Sequence, residues 1–173
     1  MSSKGKRFVA SLFGIRLSED PPQMQSLVPQ RISNEIMAGS LPKFNPSTLM
    51  LAVNETCHFM DKAALAMQKK ERQYYSSKHG SSYKVSKNFT KRSGSGITRP
   101  LDQTWYEYQE GVIFVTNQRI IFVSQENGFE KKIKNLTAII PYADALALQF
   151  GNQTITVMLP QASLMYIVLQ MVH

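Results

Sequence analysis

The sequence is nearly without cysteine: Cys57 stands alone among 173 residues. A lone cysteine excludes an internal disulfide and fits a reducing compartment. No apolar run approaches the ~18 residues that a membrane-spanning helix needs. The opening "MSSKGKRFVASLFGIR" has basic residues and a short apolar stretch, but Arg16, Glu19 and Asp20 cut it short of a signal peptide's core. A cytoplasmic chain is the expectation. No glycine-rich phosphate loop leads from a strand into a helix, which argues against an α/β nucleotide fold.

Catalytic patterns are missing as well. There is no nucleophile elbow, no His-Glu-x-x-His pair and no paired acids. Asp61, Asp102, Glu107, Glu110 and Asp144 are scattered. Cys57 and His58 have no further ligand at metal spacing. As neighbours on a strand they would face opposite ways, Cys57 inward and His58 half exposed. No enzyme, no cofactor and no metal site is expected.

Acidic residues are the last thing in short supply, and only in one place. Residues 69–99 hold Lys69, Lys70, Arg72, Lys78, Lys84, Lys87, Lys91, Arg92 and Arg99 against Glu71 alone. That net +8 equals the whole chain's excess. Lipid headgroups, nucleic acid and acidic proteins are the partners such a charge favours.

What is present reads as mainly β. Residues 1–45 form a helical leader. Phe8, Val9, Leu12 and Phe13 recur at helical spacing, as an interfacial anchor or as a stripe packed on the domain. A second short helix follows, with Leu27, Ile32 and Ile36 on its apolar side, Pro29 in its first turn and Gly39 as its cap. From residue 46 the period shifts toward two. "CHFMDKAALAMQKK" is a long strand candidate, residues 71–82 a polar loop, "YKVSKNFTK" an alternating strand and "RSGSGITRP" a flexible loop. Residues 112–116 and 119–124 pair through Asn117-Gln118, setting Phe114 opposite Ile121, with both faces apolar. Asn117 suits a left-handed turn position. Asn127-Gly128 marks another hairpin, putting Phe129, Lys131 and Ile133 on one face, and Gly151-Asn152 marks a third. After Pro160, Leu164, Ile167, Val168 and Met171 share one side of a closing helix. The whole is α+β: about seven antiparallel strands in meander order, as a sandwich or partly open barrel, closed by a C-terminal helix.

The run Gly111-x-x-x-x-Thr116-Asn117-x-Arg119-x-x-Phe122, the hairpins and the closing helix resemble the pleckstrin-homology-like (PH-like) superfold. The nearest likeness is to GRAM-like and bacterial PH-like domains. "ETCHFMDKAAL", "SSYKVSK" and "IIPYADALALQF" add to it, over residues 46–173. The chain departs from the commoner pattern in carrying Ala143-Asp144-Ala145 where Asp-Gly is frequent. The resemblance implies a non-enzymatic module that binds lipid headgroups, peptides or proteins, and fold alone does not choose among these.

It also implies that the loop after the first strand meets anionic headgroups. Arg72, Lys78, Lys84, Lys87, Lys91 and Arg92 are the candidate binding residues. Each cation near an anionic leaflet contributes about 1 kcal/mol. With Lys84 and Lys91 on one strand, about 23 Å apart at its rise per residue, they would form an extended stripe. The partner is then a protein or the inner leaflet of a membrane, with the chain peripheral to it. Two other readings stand beside this one: a protein–protein scaffold whose basic face is only solvated, and a nucleic-acid module, which Tyr74, Tyr75 and Tyr83 among the cations would suit. Asn117 and Arg119 have a plain structural reading, turn support and a strand-end contact.

Overall fold

The computed structural model describes residues 18–87 and 89–173. The side chains of residues 73, 75–86, 89–95, 97–99 and 101 lie outside that description. Phe8, Val9, Leu12 and Phe13 of the expected leader helix also lie outside the described residues.

The chain is mainly β. Helix α1 spans Gln30–Met37. Strands follow as β1 Cys57–Ser86, β2 Phe89–Thr116, β3 Arg119–Ser124, β4 Phe129–Lys132, β5 Ala138–Pro141, β6 Ala145–Phe150 and β7 Gln153–Met158. Helix α2, Ala162–Val172, closes the order. The strands form one antiparallel sheet in the order β4-β3-β2-β1-β7-β6-β5. It is open, with β4 and β5 at its edges rather than joined into a barrel.

The described residues divide into two compact units. One contains Gln68–Tyr106; the other contains Glu19–Met67 and Glu107–His173. Residues 19–45 share a unit with β3 to β7.

Several local expectations change. Residues 71–82 are not a loop but part of β1, and "RSGSGITRP" is not a loop but part of β2. The chain instead reverses at Lys87, inside the expected strand "YKVSKNFTK". Lys84 and Lys91 therefore lie on neighbouring strands, each within four residues of the reversal, and not 23 Å apart along one strand. An even period-two pattern does not reveal where a ribbon folds back.

The β2–β3 hairpin has the expected register, with Phe114 opposite Ile121 and Val115 opposite Ile120. Its two apolar faces feed two cores. Ile113, Val115, Ile120 and Phe122 join the main core, into which α1 and α2 also pack. Phe114 and Ile121 join Cys57 in a second core, covered by Phe44, Leu49 and Leu51. Gly128 turns the β3–β4 connection, but not through a left-handed backbone. A Cβ there would stand 2.7 Å from the Phe122 carbonyl oxygen, so close approach is what calls for glycine. Ile133 falls outside β4, in a 3-10 turn.

Helix α1 starts one residue after Pro29, which stands at its N-cap. It ends as the sequence suggests: Gly39 has φ +82°, its N–H donates to Ile36 O at 2.9 Å, and Ser40 N–H donates to Glu35 O at 3.0 Å. Leu27 lies off the buried side, being 44% exposed, whereas Ile36 is fully buried. On α2 the buried side is Leu164, Met165, Val168 and Leu169, with Ile167 and Met171 at its margins.

β3 ends against β2 at Gly111, which faces Ser124. Just beyond, Tyr108 N–H donates to Glu19 Oε2 at 3.2 Å. A side-chain carboxylate, not a strand carbonyl, accepts this bond.

Candidate functional site

The candidate basic residues sit on one ribbon. Arg72 and Lys78 lie in β1, Lys84 near its end, Lys87 at the turn, and Lys91 and Arg92 at the start of β2. The side chains of Lys78, Lys84, Lys91 and Arg92 lie outside the described residues. Lys87 is exposed. Arg72 reaches across to β2, where its Nε and Nη2 donate to Asp102 at 2.8 and 3.2 Å. The pair holds the Asp102 carboxyl below its ordinary range and raises Arg72. Both side chains are more than half exposed, so the pair adds little to stability.

The Thr116-Asn117-Gln118-Arg119 turn builds something denser. Thr116 is buried, and its hydroxyl accepts from Gln118 N–H at 3.0 Å and Arg119 N–H at 2.9 Å. The same hydroxyl donates to Glu55 Oε1 at 2.7 Å. Arg119 donates to both Glu55 oxygens, through Nε at 2.8 Å and Nη2 at 3.0 Å, and its Nη1 lies 3.0 Å from Glu130. Its Nη2 also donates to Met50 O at 2.7 Å. Burial opposes ionisation of Glu55. The hydrogen bonds from Arg119, Ala52 N–H and Thr116 outweigh it, so the carboxyl is held below its ordinary value. Arg119 is raised, mainly by those bonds to Glu55 and Glu130.

Asn117 works from the side chain. Its Oδ1 accepts from Thr56 N–H at 2.9 Å and its Nδ2 donates to Asn54 O at 3.0 Å. The left-handed residue is Asn54, φ 61°, and not Asn117. The motif-like residues thus clamp the 50–56 segment against the β2–β3 turn. This matches their structural reading and adds Glu55, which sequence reasoning did not single out. Next to the clamp lies a cavity of about 860 Å³, with Met50, Ile133 and Val172 among its apolar lining and Lys132 and Lys134 among its polar lining.

Cys57 and His58 point to opposite faces, as neighbours on a strand should. The Cys57 thiol donates to Phe59 O at 3.3 Å, and burial pushes it up to about 11. His58 is buried rather than half exposed, with Nδ1 donating to Pro42 O at 2.7 Å. Asp61, fully buried, accepts from Ser26 Oγ at 2.8 Å, Leu27 N–H at 2.6 Å and Lys62 N–H at 2.8 Å. It ties the segment ahead of α1 to β1. Among the described residues, no three His, Cys, Asp or Glu side chains gather as a metal would need. No helix among them is long and apolar enough to cross a membrane.

No family model matches the chain, and no curated protein matches it. Among solved structures, the C-terminal domain of an unknown protein from Leishmania infantum is similar over 37% of this chain and 68% of its own, at 20% identity and a TM-score of 0.34. A likeness that weak carries no argument about fold or function.

Proposed function

We propose that this chain is a non-enzymatic, PH-like or GRAM-like binding module of the cytoplasm, whose basic segment at residues 69–99 meets an anionic surface, the inner leaflet of a membrane. The observation that carries the reading is where the charge falls. The unit containing Gln68–Tyr106 holds, within those residues, nine basic and two acidic side chains, a net +7. The unit of Glu19–Met67 and Glu107–His173 holds seven basic and ten acidic side chains, a net −3. The boundary between the compact units is also a boundary in charge, and such a concentration attracts polyanionic surfaces at long range.

The carboxylates support the non-enzymatic part. Glu55, Asp61 and Asp102 each serve a structural contact. None of the three is left over for acid–base work at an open site.

The test is sedimentation with vesicles. The parent is expected to bind phosphatidylserine-containing vesicles over phosphatidylcholine alone, and to lose binding as salt rises from low levels to about 0.15 M and beyond. Arg72→Glu, Lys78→Glu and Lys84→Glu together should abolish binding and leave thermal unfolding nearly unchanged. Binding that persists in the triple variant, or never occurs in the parent, would leave a solvated basic face and favour the scaffold reading. Preferential binding to single-stranded RNA would favour the nucleic-acid reading instead.

A further inference from the structure

We infer that the loop at residues 50–54 is a preformed wedge that dips Met50 and Val53 into the interface of an anionic bilayer. This rests on the reading of the chain as an anionic-surface module, but it uses other residues.

The starting observation is exposure. Met50 is 92% and Val53 87% exposed, the highest values of any large apolar side chain described. Single exposed apolar residues need no explanation, but two on one short loop form a local feature. Leu51, between them, turns the other way and packs on the second core. The loop therefore holds its prongs outward while anchored from behind.

The second observation is that four of the loop's five carbonyls and the Ala52 N–H are bonded to the protein itself. Met50 O accepts from Arg119 Nη2 at 2.7 Å, Val53 O from Gln118 Nε2 at 3.4 Å and Asn54 O from Asn117 Nδ2 at 3.0 Å. Ala52 N–H donates to Glu55 Oε2 at 2.7 Å, and Ala52 O accepts from Glu55 N–H at 3.1 Å. An exposed loop in water has no need of such a set, because water would serve. A segment entering a poorly hydrated interface does need it, since each stranded polar group there is costly. The same bonds fix the loop before it binds, so little ordering entropy is lost on contact.

The third observation selects the surface. Lys132 and Lys134 are exposed and line the cavity that Met50 also lines. Glu130, the acid beside them, is held by Arg119. Apolar prongs with free cations alongside fit acyl chains topped by anionic headgroups.

The experiment uses the full chain with phosphatidylcholine vesicles, with and without phosphatidylserine. Met50→Ser with Val53→Ser removes apolar area without adding charge, and both sites are exposed, so thermal unfolding should be unchanged. Partitioning onto the anionic vesicles is expected to fall about tenfold or more. In a second arm, Met50→Cys carries an NBD dye, whose emission should shift to the blue on binding and be quenched by doxyl-labelled lipid. A double serine variant that binds like the parent, or a dye that stays wet while the protein is bound, overturns the wedge and leaves the basic-segment reading intact. Loss of binding in the serine variant with full binding in Arg72→Glu, Lys78→Glu, Lys84→Glu supports the wedge and removes the segment reading. A parent that binds neither vesicle removes both, and retention on an apolar-acidic peptide column in that case marks the cavity as a peptide site.

Discussion

Glu55 and Arg119 stand 64 residues apart in the chain and meet through two hydrogen bonds of 2.8 and 3.0 Å. The Glu55 side chain is wholly buried in that contact and the Arg119 side chain only 21% exposed. Taking two charges out of water is costly, and the pairing returns that cost only while both partners are present.

Removing one partner should therefore hurt more than removing both. Arg119→Ala is expected to destabilise the fold by about 3 kcal/mol, because it leaves a buried carboxylate without its cation. Glu55→Gln with Arg119→Met should recover part of that loss. Urea unfolding of the two singles and the double measures the coupling, and strictly additive effects would mean the pair does not act as a unit.

The same pair gives a pH dependence of known sign. The folded-state value of Glu55 lies below the ordinary carboxylate value of 4.5. Its contribution is thus full above that value and is lost as pH falls through the lower, folded-state one. The stability gap between the parent and Glu55→Gln should be widest near neutral pH and shrink under acid. A gap that stays constant from neutral pH down to pH 3, about one and a half units below the ordinary carboxylate value, would contradict the assignment.

Helix α2 is held by its buried side, where Val168 has no exposed surface. Val168→Asp places an unpaired charge there, at a cost of several kcal/mol, and should leave no cooperative unfolding transition. Met171→Asp, at the margin of that side, should be far milder. Equal loss in both would mean that the buried side has been drawn wrongly.

Gly111 opens the motif-like run for a reason of space. A Cβ there would collide with the Val123 carbonyl oxygen and stand 2.8 Å from the Phe122 ring. Gly111→Ala is expected to cost about 1–3 kcal/mol, the usual range for overpacking. Differential scanning calorimetry reads it as a lowered melting temperature.

The hairpins were the legible part of this chain. Residues 112–124 carry dense apolar alternation around a two-residue joint, and their register follows from those local features. The closing helix announced itself through Pro160 and its spacing, although its buried side is centred on Met165 and Leu169. Length was not legible. β1 runs 30 residues and β2 28, through glycines and serines that read as loops. Composition reports what a strand can bury, and a ribbon stretch with little to bury does not look like a strand. The clamp was half legible. Thr116, Asn117 and Arg119 stood out as a motif, while Glu55 did not, because a contact across 64 residues leaves no mark on local spacing. Asp61 was hidden for the same reason: its partners, Ser26 and Leu27, lie 35 and 34 residues earlier.

Glu19 shows a side chain standing in on the backbone of a strand. The β2–β3 pairing reaches Gly111, and three residues earlier along β2 the Tyr108 N–H is met by the Glu19 carboxylate. A bare row of N–H groups is a template on which another molecule can add a strand, and repeated addition leads to fibrils. The Glu19 carboxylate occupies one such donor and sets a negative charge where an incoming carbonyl would have to come. A carboxylate held on a strand N–H in this way works against strand addition at that donor.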